Sequence, residues 1–277
     1  MAIQLATKFQ PCVDEQFATE SKKSLVTNQD YDWTGAHTIK VYKVSTASMN
    51  DYDRAGTGVN QSRYGAIQGL DATTEEMTLR KDRSFTFAID KLDTDETAQT
   101  VAGASALSRQ NREVVIPEVD KYVYDVMCSG AGTKKDTAGL TATNIYEEIL
   151  TANKTLDDAE VPEAGRFIIV TPDTYLLMKK SPDITMETEI GQDMRLKGVI
   201  ANLDGATVIK VPSNRLPEKF GFLVGHPCAT VAPTKLEDYK VHQDPPGISG
   251  DLVEGRIVYD AFVLDNKTKA LYYYELV

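Results

Sequence analysis

Between residues 119 and 127 the apolar positions are Val119, Tyr122, Val123, Val126 and Met127. That spacing, i, i+3, i+4, i+7 and i+8, predicts a helix buried on one face. Upstream, residues 96–115 are also helix-friendly, and Asp93, Thr94 and Asp95 offer N-caps while Glu96 suits the positive helix start. Pro117 interrupts this run. Proline removes a backbone donor and disfavours the α region for the residue before it, here Ile116. Two readings follow: one long helix with a fixed bend, or two helices in series with Pro117 at the first position of the second.

Elsewhere the pattern shortens to strands. Residues 37–46 read as one strand, and 84–92 as another with Phe85, Phe87 and Ile89 on one face, an alternation that Met77 and Leu79 extend upstream. Between them, residues 47–74 are dense in Gly, Ser, Asn and Asp, yet carry Met49, Tyr52, Val59, Tyr64, Ile67 and Leu70. A two-stranded projection cannot bury such groups on itself. A neighbouring subunit is the expected cover.

After a Gly-rich loop at 128–139, helices and strands alternate. Residues 143–162 predict a helix with Ile145, Ile149, Leu150 and Leu156 on one side. Residues 166–172 read as a buried strand, 173–181 as a short helix with basic residues in its last turn, and 220–227 as another apolar strand. Residues 199–212 suggest two strands around a turn at Asp204-Gly205. The prolines of 232–250 predict an irregular connector, and 255–277 a closing hairpin that turns at Asp265-Asn266-Lys267. Residues 1–36 show little periodicity and scattered apolar anchors (Phe17, Leu25, Val26, Trp33), which suits an arm lying across other surfaces.

Composition narrows the class. With 277 residues, 42% hydrophobic and 26% charged, the chain is globular, with room for one large domain or two. No apolar run approaches the roughly 18 residues of a membrane helix, and the N-terminus lacks a signal layout, so a cytoplasmic origin is expected. A formal charge of −11 argues against sequence-independent DNA binding and suits a protein that stays dispersed at high concentration.

Chemistry is sparse. Cys12, Cys128 and Cys228 are too scattered for a disulfide framework or a metal motif. His37, His226 and His242 have no partner at metal-binding spacing. The stretches at 56–61 (GTGVNQ) and 130–135 (GAGTKK) lack the order of a dinucleotide or phosphate loop, and no nucleophile elbow occurs. No catalytic, cofactor or metal site is expected.

The order of these segments carries a resemblance. VIPEVDKYVYDVM (115–127), RFIIVTPDTYLLMKKS (166–181), IANLDGATVIKVP (200–212), GHPCATVAPTKLEDYKV (225–241) and GRIVYDAFVLDNKTKALYY (255–273) follow a long hairpin. In that order the chain resembles the major capsid proteins of tailed bacteriophages with the HK97-type α+β fold. The resemblance implies an N-arm at 1–36, an E-loop hairpin at 37–92 and a spine helix with the first part of a P-domain at 93–139. It further implies an A-domain at 140–240, and 241–277 returning to complete a discontinuous P-domain, with Pro117 setting the bend of the spine. It implies a non-enzymatic subunit that self-assembles into an icosahedral head around double-stranded DNA. Met49, Tyr52, Val59, Tyr64, Ile67 and Leu70 would then be inter-subunit contacts of the E-loop.

The implied partners are the chain itself in hexamers and pentamers, a portal protein and packaged DNA without sequence-specific binding, with no membrane. The implied location is the virion, after assembly in the host cytoplasm. Only about 36 residues precede the first strand, so no cleaved N-terminal scaffold is expected, and a separate scaffolding protein is. Lys40, Lys43 and Lys81 fall in the E-loop, but no acceptor Asn is identifiable, so isopeptide cross-links are not expected. The alternatives are an encapsulin-like shell for cargo enzymes and a soluble α/β ligand-binding or enzymatic domain on 140–240.

Overall fold

A computed structural model describes residues 20–31, 38–56, 62–92, 103–137, 139–186 and 202–276. The chain divides into two compact units, a projection spanning Trp33–Leu79 and a body comprising Met1–Asp32 and Arg80–Val277.

The projection is built on two antiparallel strands, β1 (Thr38–Val44) and β2 (Ala72–Thr78), in a register that runs from Thr38 opposite Thr78 to Val44 opposite Ala72. The expected partner of the first strand was the segment 84–92. That segment instead belongs to β3 (Lys81–Asp90) in the body, where it pairs with a strand near the C-terminus. As expected, β3 places Phe85, Phe87 and Ile89 at its better-covered positions.

The long helix of the body is continuous through Pro117. Helix α1 (Gly103–Gln110) passes into a five-residue π turn (Asn111–Val115) and then into α2 (Ile116–Ser129). Ile116 keeps helical angles, φ −59° and ψ −48°, contrary to the expectation that proline would expel it from the α region. The wider turn supplies the reason. A π turn places an extra residue just before the proline ring, where a regular helix would have a clash and a missing hydrogen bond.

Behind this helix lies a six-stranded mixed sheet. Its strands are β4 (Thr133–Thr137), β5 (Phe167–Val170), β6 (Asn202–Leu203), β7 (Ala206–Lys210), β8 (Phe220–Gly225) and β13 (Leu271–Leu276), in the order β4-β13-β8-β5-β7-β6. Strand β5 runs parallel to β7, and β4 parallel to β13. Alternate residues go to opposite faces. Phe167, Ile169, Leu223 and Tyr273 join Val119, Val123 and Met127 of α2, while Ile168, Val170, Phe222 and Tyr274 join Ile145, Ile149 and Leu156 of α3 (Ile145–Asp158). A sheet covered on both faces explains why its central strands read as continuous apolar runs.

Helix α4 (Pro172–Lys180) is capped by Thr171, whose side chain accepts from the Thr174 N–H, and it carries Lys179 and Lys180 in its last turn. The short α5 (Pro182–Met186) follows. Asp204 and Gly205 both take positive φ, 49° and 75°, so the tight β6–β7 turn needs the residue pair the sequence provides.

Four expectations are corrected. Leu150 is 36% exposed and lies off the buried stripe of α3, where Ala152 takes its place. The Gly-rich loop contains the edge strand β4, recruited by β13. Residues 232–250 are not an irregular connector. They hold β10 (Thr234–Gln243), which pairs along its length with β11 (Gly250–Tyr259), itself paired with β3; the prolines only bracket the strand. Nor does the C-terminus form one hairpin. Its strands separate to different sheets, β11 to the three-stranded one and β13 to the six-stranded one, while β12 (Phe262–Val263) pairs with β9 (Thr230–Val231). The expected caps at Asp93 to Glu96 and the anchors Phe17 and Trp33 lie outside the described residues.

Candidate functional site

The projection concentrates what the body hides. Beyond the β1–β2 ladder its two arms keep touching. The Ser45 N–H donates to the Asp71 carbonyl at 2.9 Å, and the Asp53 N–H to the Arg63 carbonyl at 2.9 Å. Gln68 Nε2 donates to Ser48 Oγ at 3.3 Å, and the rings of Tyr52 and Tyr64 meet edge-on with centroids 5.1 Å apart. In each of these pairs the residue numbers sum to 116, as they do throughout the ladder. One antiparallel register therefore runs from the pair Thr38–Thr78 to the pair Asp53–Arg63. Asp53 Oδ1 accepts from the Ala55 and Gly56 N–H groups, each at 2.9 Å, and turns the chain toward the apex.

That register puts Met49 opposite Ile67, and these two side chains are 99% and 94% exposed. Tyr64 (79%), Leu70 (61%) and Tyr52 (51%) are exposed as well, so five of the six residues singled out in sequence stand uncovered on the projection. The sixth, Val59, lies outside the described residues. Tyr42 and Val44, 74% and 60% exposed, extend the apolar surface down the ladder. Sequence reasoning did not single them out, although the period-two pattern of 38–44 carried the signal. Lys43 pairs with Glu75 at 3.0 Å and Lys40 with Glu76, so the polar positions fix the ladder internally. Lys81 lies in the body, its ammonium 4.7 Å from the centre of the Tyr122 ring.

Polar groups in the body tie elements together. Asp260 accepts from the Tyr122 hydroxyl at 2.7 Å, from the Arg80 N–H at 2.8 Å and from the Ala261 N–H at 2.8 Å, joining α2, the start of β3 and the end of β11. Burial, helped by the Asp260 carboxylate, holds the Tyr122 phenol well above its ordinary range. Glu118 accepts from Arg83 Nε at 2.8 Å and from the Tyr259 hydroxyl at 3.3 Å. The buried pair Asp120–Arg215, at 2.8 Å, spans α2 and the chain after β7.

None of these clusters assembles a nucleophile with a base. His226 Nδ1 accepts from the Cys228 N–H at 3.2 Å and its Nε2 lies 3.1 Å from the Ala164 carbonyl, so both ring nitrogens are occupied by backbone. His242 faces Glu254 at 3.3 Å on the exposed side of β11. Burial raises the thiol pKa of Cys128, with Asp125 adding to the effect, and it raises that of Cys228 too. His37, Cys12 and most of the 56–61 stretch lie outside the described residues. Among the described residues no three His, Cys, Asp or Glu side chains gather to hold a metal ion. Among them, too, no helix is long and apolar enough to cross a membrane.

No protein-family model matches the sequence, and no curated protein matches it. Solved structures do. A structure from Mycobacterium phage Che8 superposes with a TM-score of 0.79 at 19% identity, covering 98% of this chain and 96% of that one. The capsid structure of cyanophage P-SCSP1u gives 0.77 at 14%, covering 98% and 93%. The mature capsid of bacteriophage PhiM1 gives 0.75 at 11%, covering 99% and 92%.

Proposed function

We propose, from the HK97-type α+β capsid fold that the chain shares with these phage structures, that it is the structural subunit of an icosahedral head shell enclosing a double-stranded DNA genome. The observation that carries this reading is the opposed pair Met49 and Ile67, almost fully exposed on a projection held in one register. Covering two such side chains contributes about 3–6 kcal/mol per subunit before the costs of ordering. Summed over many copies, that is a driving force for a closed lattice. A second copy of the chain is the cover, and the shell works by packing rather than by catalysis.

In this reading residues 37–92 are the E-loop, 93–139 the spine helix and first part of the P-domain, 140–240 the A-domain and 241–277 the remainder of the P-domain. Residues 1–36 are the N-arm. The separate projection supports the E-loop assignment as far as Leu79, while β3, inside 37–92, pairs with β11 in the body and supports a P-domain assembled from distant segments. Pro117 and the π turn before it set the course of the spine. Assembly takes place in the host cytoplasm, with a scaffolding protein and a portal as partners. The neighbours named above are phage structures, which favours a DNA-filled head over a shell for cargo enzymes.

The test is to produce the chain with and without its scaffold and to image the product by electron microscopy. Closed particles, tubes or sheets are expected. The double substitution Met49→Asp and Ile67→Asp should leave folded subunits that form none of these. Normal particles from that variant would overturn the assignment.

A further inference from the structure

Strands β5 and β7 run parallel, with Phe167 beside Thr207 and Val170 beside Lys210, so both begin at one end of the six-stranded sheet and finish at the other. The two ends differ in charge. At the starting end stand Asp157, Asp158, Glu160 and Glu163, on the last turn of α3 and the loop into β5, with Asp204 in the turn into β7. The Thr207 N–H donates to the Arg166 carbonyl at 2.9 Å, and Asn153 Nδ2 donates to Asp204 Oδ2 at 2.7 Å, which ties these segments together. Arg166 pairs with Asp157 at 2.7 Å. Asp158, Glu160 and Glu163 are exposed and make no ion pair among the described residues. Lys154 is the only cation of α3, and Asp158 lies in its last turn, where the helix dipole favours positive charge. The helix therefore gains nothing from that carboxylate.

At the finishing end Lys210 closes β7, and α4 starts from β5 at Pro172. The ammonium groups of Lys210 and Lys179 lie 5.3 and 5.1 Å from the centre of the Tyr175 ring on α4. Lys22 Nζ donates to the Lys210 carbonyl at 3.1 Å, which brings a third lysine to the same place. Of the neighbouring acids, Asp120 is held by Arg215 at 2.8 Å, and Asp173 serves the positive start of α4. Glu20, which lines the same cleft as Lys22 and Lys210, offsets one of the three lysines. Strand β7, about 16 Å long, thus has an acidic turn at its start and a basic cluster at its end.

We infer that this part of the body joins copies of the chain head to tail, the acidic turn Asp158–Glu163 of one copy meeting the Lys179–Lys210 cluster of the next. The occupant is a second copy because the chain itself carries both complementary surfaces. At a net charge of −11, copies repel one another on average, and bringing the acidic end to the lysine end reverses the sign of that force locally. Acid-to-acid approaches are repelled, so the charges set the orientation and register of docking. The two surfaces differ and lie at opposite ends of the same strands. The contact is therefore heterologous, and repeated with a constant rotation it closes a ring rather than a dimer. The inference rests on the shell reading above and adds which surfaces meet within its rings.

Charge exchange in the full-length chain, produced with its scaffold, tests this. Three forms are compared with wild type: Asp158→Lys with Glu160→Lys, Lys179→Glu with Lys210→Glu, and all four changes together. Each two-residue reversal should lower the yield of sedimenting particles by about tenfold, and the four-residue exchange should restore most of it. The first form makes the chain less acidic, so its loss of assembly cannot come from general repulsion. The milder Asp158→Asn with Glu160→Gln, which keeps side-chain size, should lower the yield by a smaller factor. Circular dichroism melts of the unassembled subunits confirm folding. Wild-type yield from either reversal, or no recovery in a folded four-residue form, would overturn the pairing. A wild-type chain that forms no particles at all would instead overturn the shell reading, and the pairing with it.

Discussion

Ile149 and Ile67 are the same residue in two regions with opposite fates. Ile149 is wholly buried between α3 and the six-stranded sheet, whereas Ile67 is 94% exposed on the projection. The difference lies in the number of layers, not in the composition. The body closes helix, sheet and helix around its apolar faces, and a two-stranded ladder has no second layer to close with. An apolar side chain on such a ladder is either a liability or one half of a contact.

The most drastic way to break the comparison is to exchange residues 46–70 for Asn-Gly, a turn that fits the register of Ser45 opposite Asp71. Assembly should vanish entirely under electron microscopy, while the calorimetric transition of the body stays in place. Next in size, Ile149→Ala should cost about 2–5 kcal/mol in urea unfolding. Ile67→Ala in the unassembled subunit should stay within about 0.5 kcal/mol of wild type.

A smaller effect concerns the body alone. Burial first, then the charge and hydrogen bond of Glu118, push the Tyr259 phenol from 10.0 to about 12. The folded state therefore holds this proton more tightly than the unfolded chain does. The associated stability is complete below pH 10 and is lost as pH rises from about 10 to about 12. Urea midpoints measured across that window should fall less steeply in Tyr259→Phe than in the wild type. On the projection itself, Lys43→Ala removes a partly covered ion pair with Glu75 and should cost under about 1 kcal/mol in the thermal unfolding of that unit.

Much of the body was legible because its elements obey local rules. The strand at Phe167–Val170, the basic last turn of the helix that follows it and the turn at Asp204-Gly205 each follow from a few adjacent residues. What was not legible depended on distant partners. Strand β10 begins just after Pro233 and ends just before Pro245, so prolines that mark its limits read as its absence. The C-terminal strands looked like a hairpin because they are neighbours in the chain, yet each finds better-placed partners elsewhere: β3 and β10 for one, β4 and β8 for the other. For the projection, composition revealed that Met49, Ile67 and their companions needed a cover. Only the shared register, which pairs residues as far apart as Thr38 and Thr78, revealed that these two occupy opposite positions on the two arms.

The π turn at Asn111–Val115 also acts as a phase setter. Removing one residue there would restore an ordinary helix and rotate Gly103–Gln110 by roughly 100° about the helix axis relative to Ile116–Ser129. Gly103 would then leave its position against Val241 and Asp251, where an added Cβ would approach within about 3 Å of both. A change of one residue in length, with no change in polarity, would thus dial the first stretch of the long helix away from the sheet it lies on.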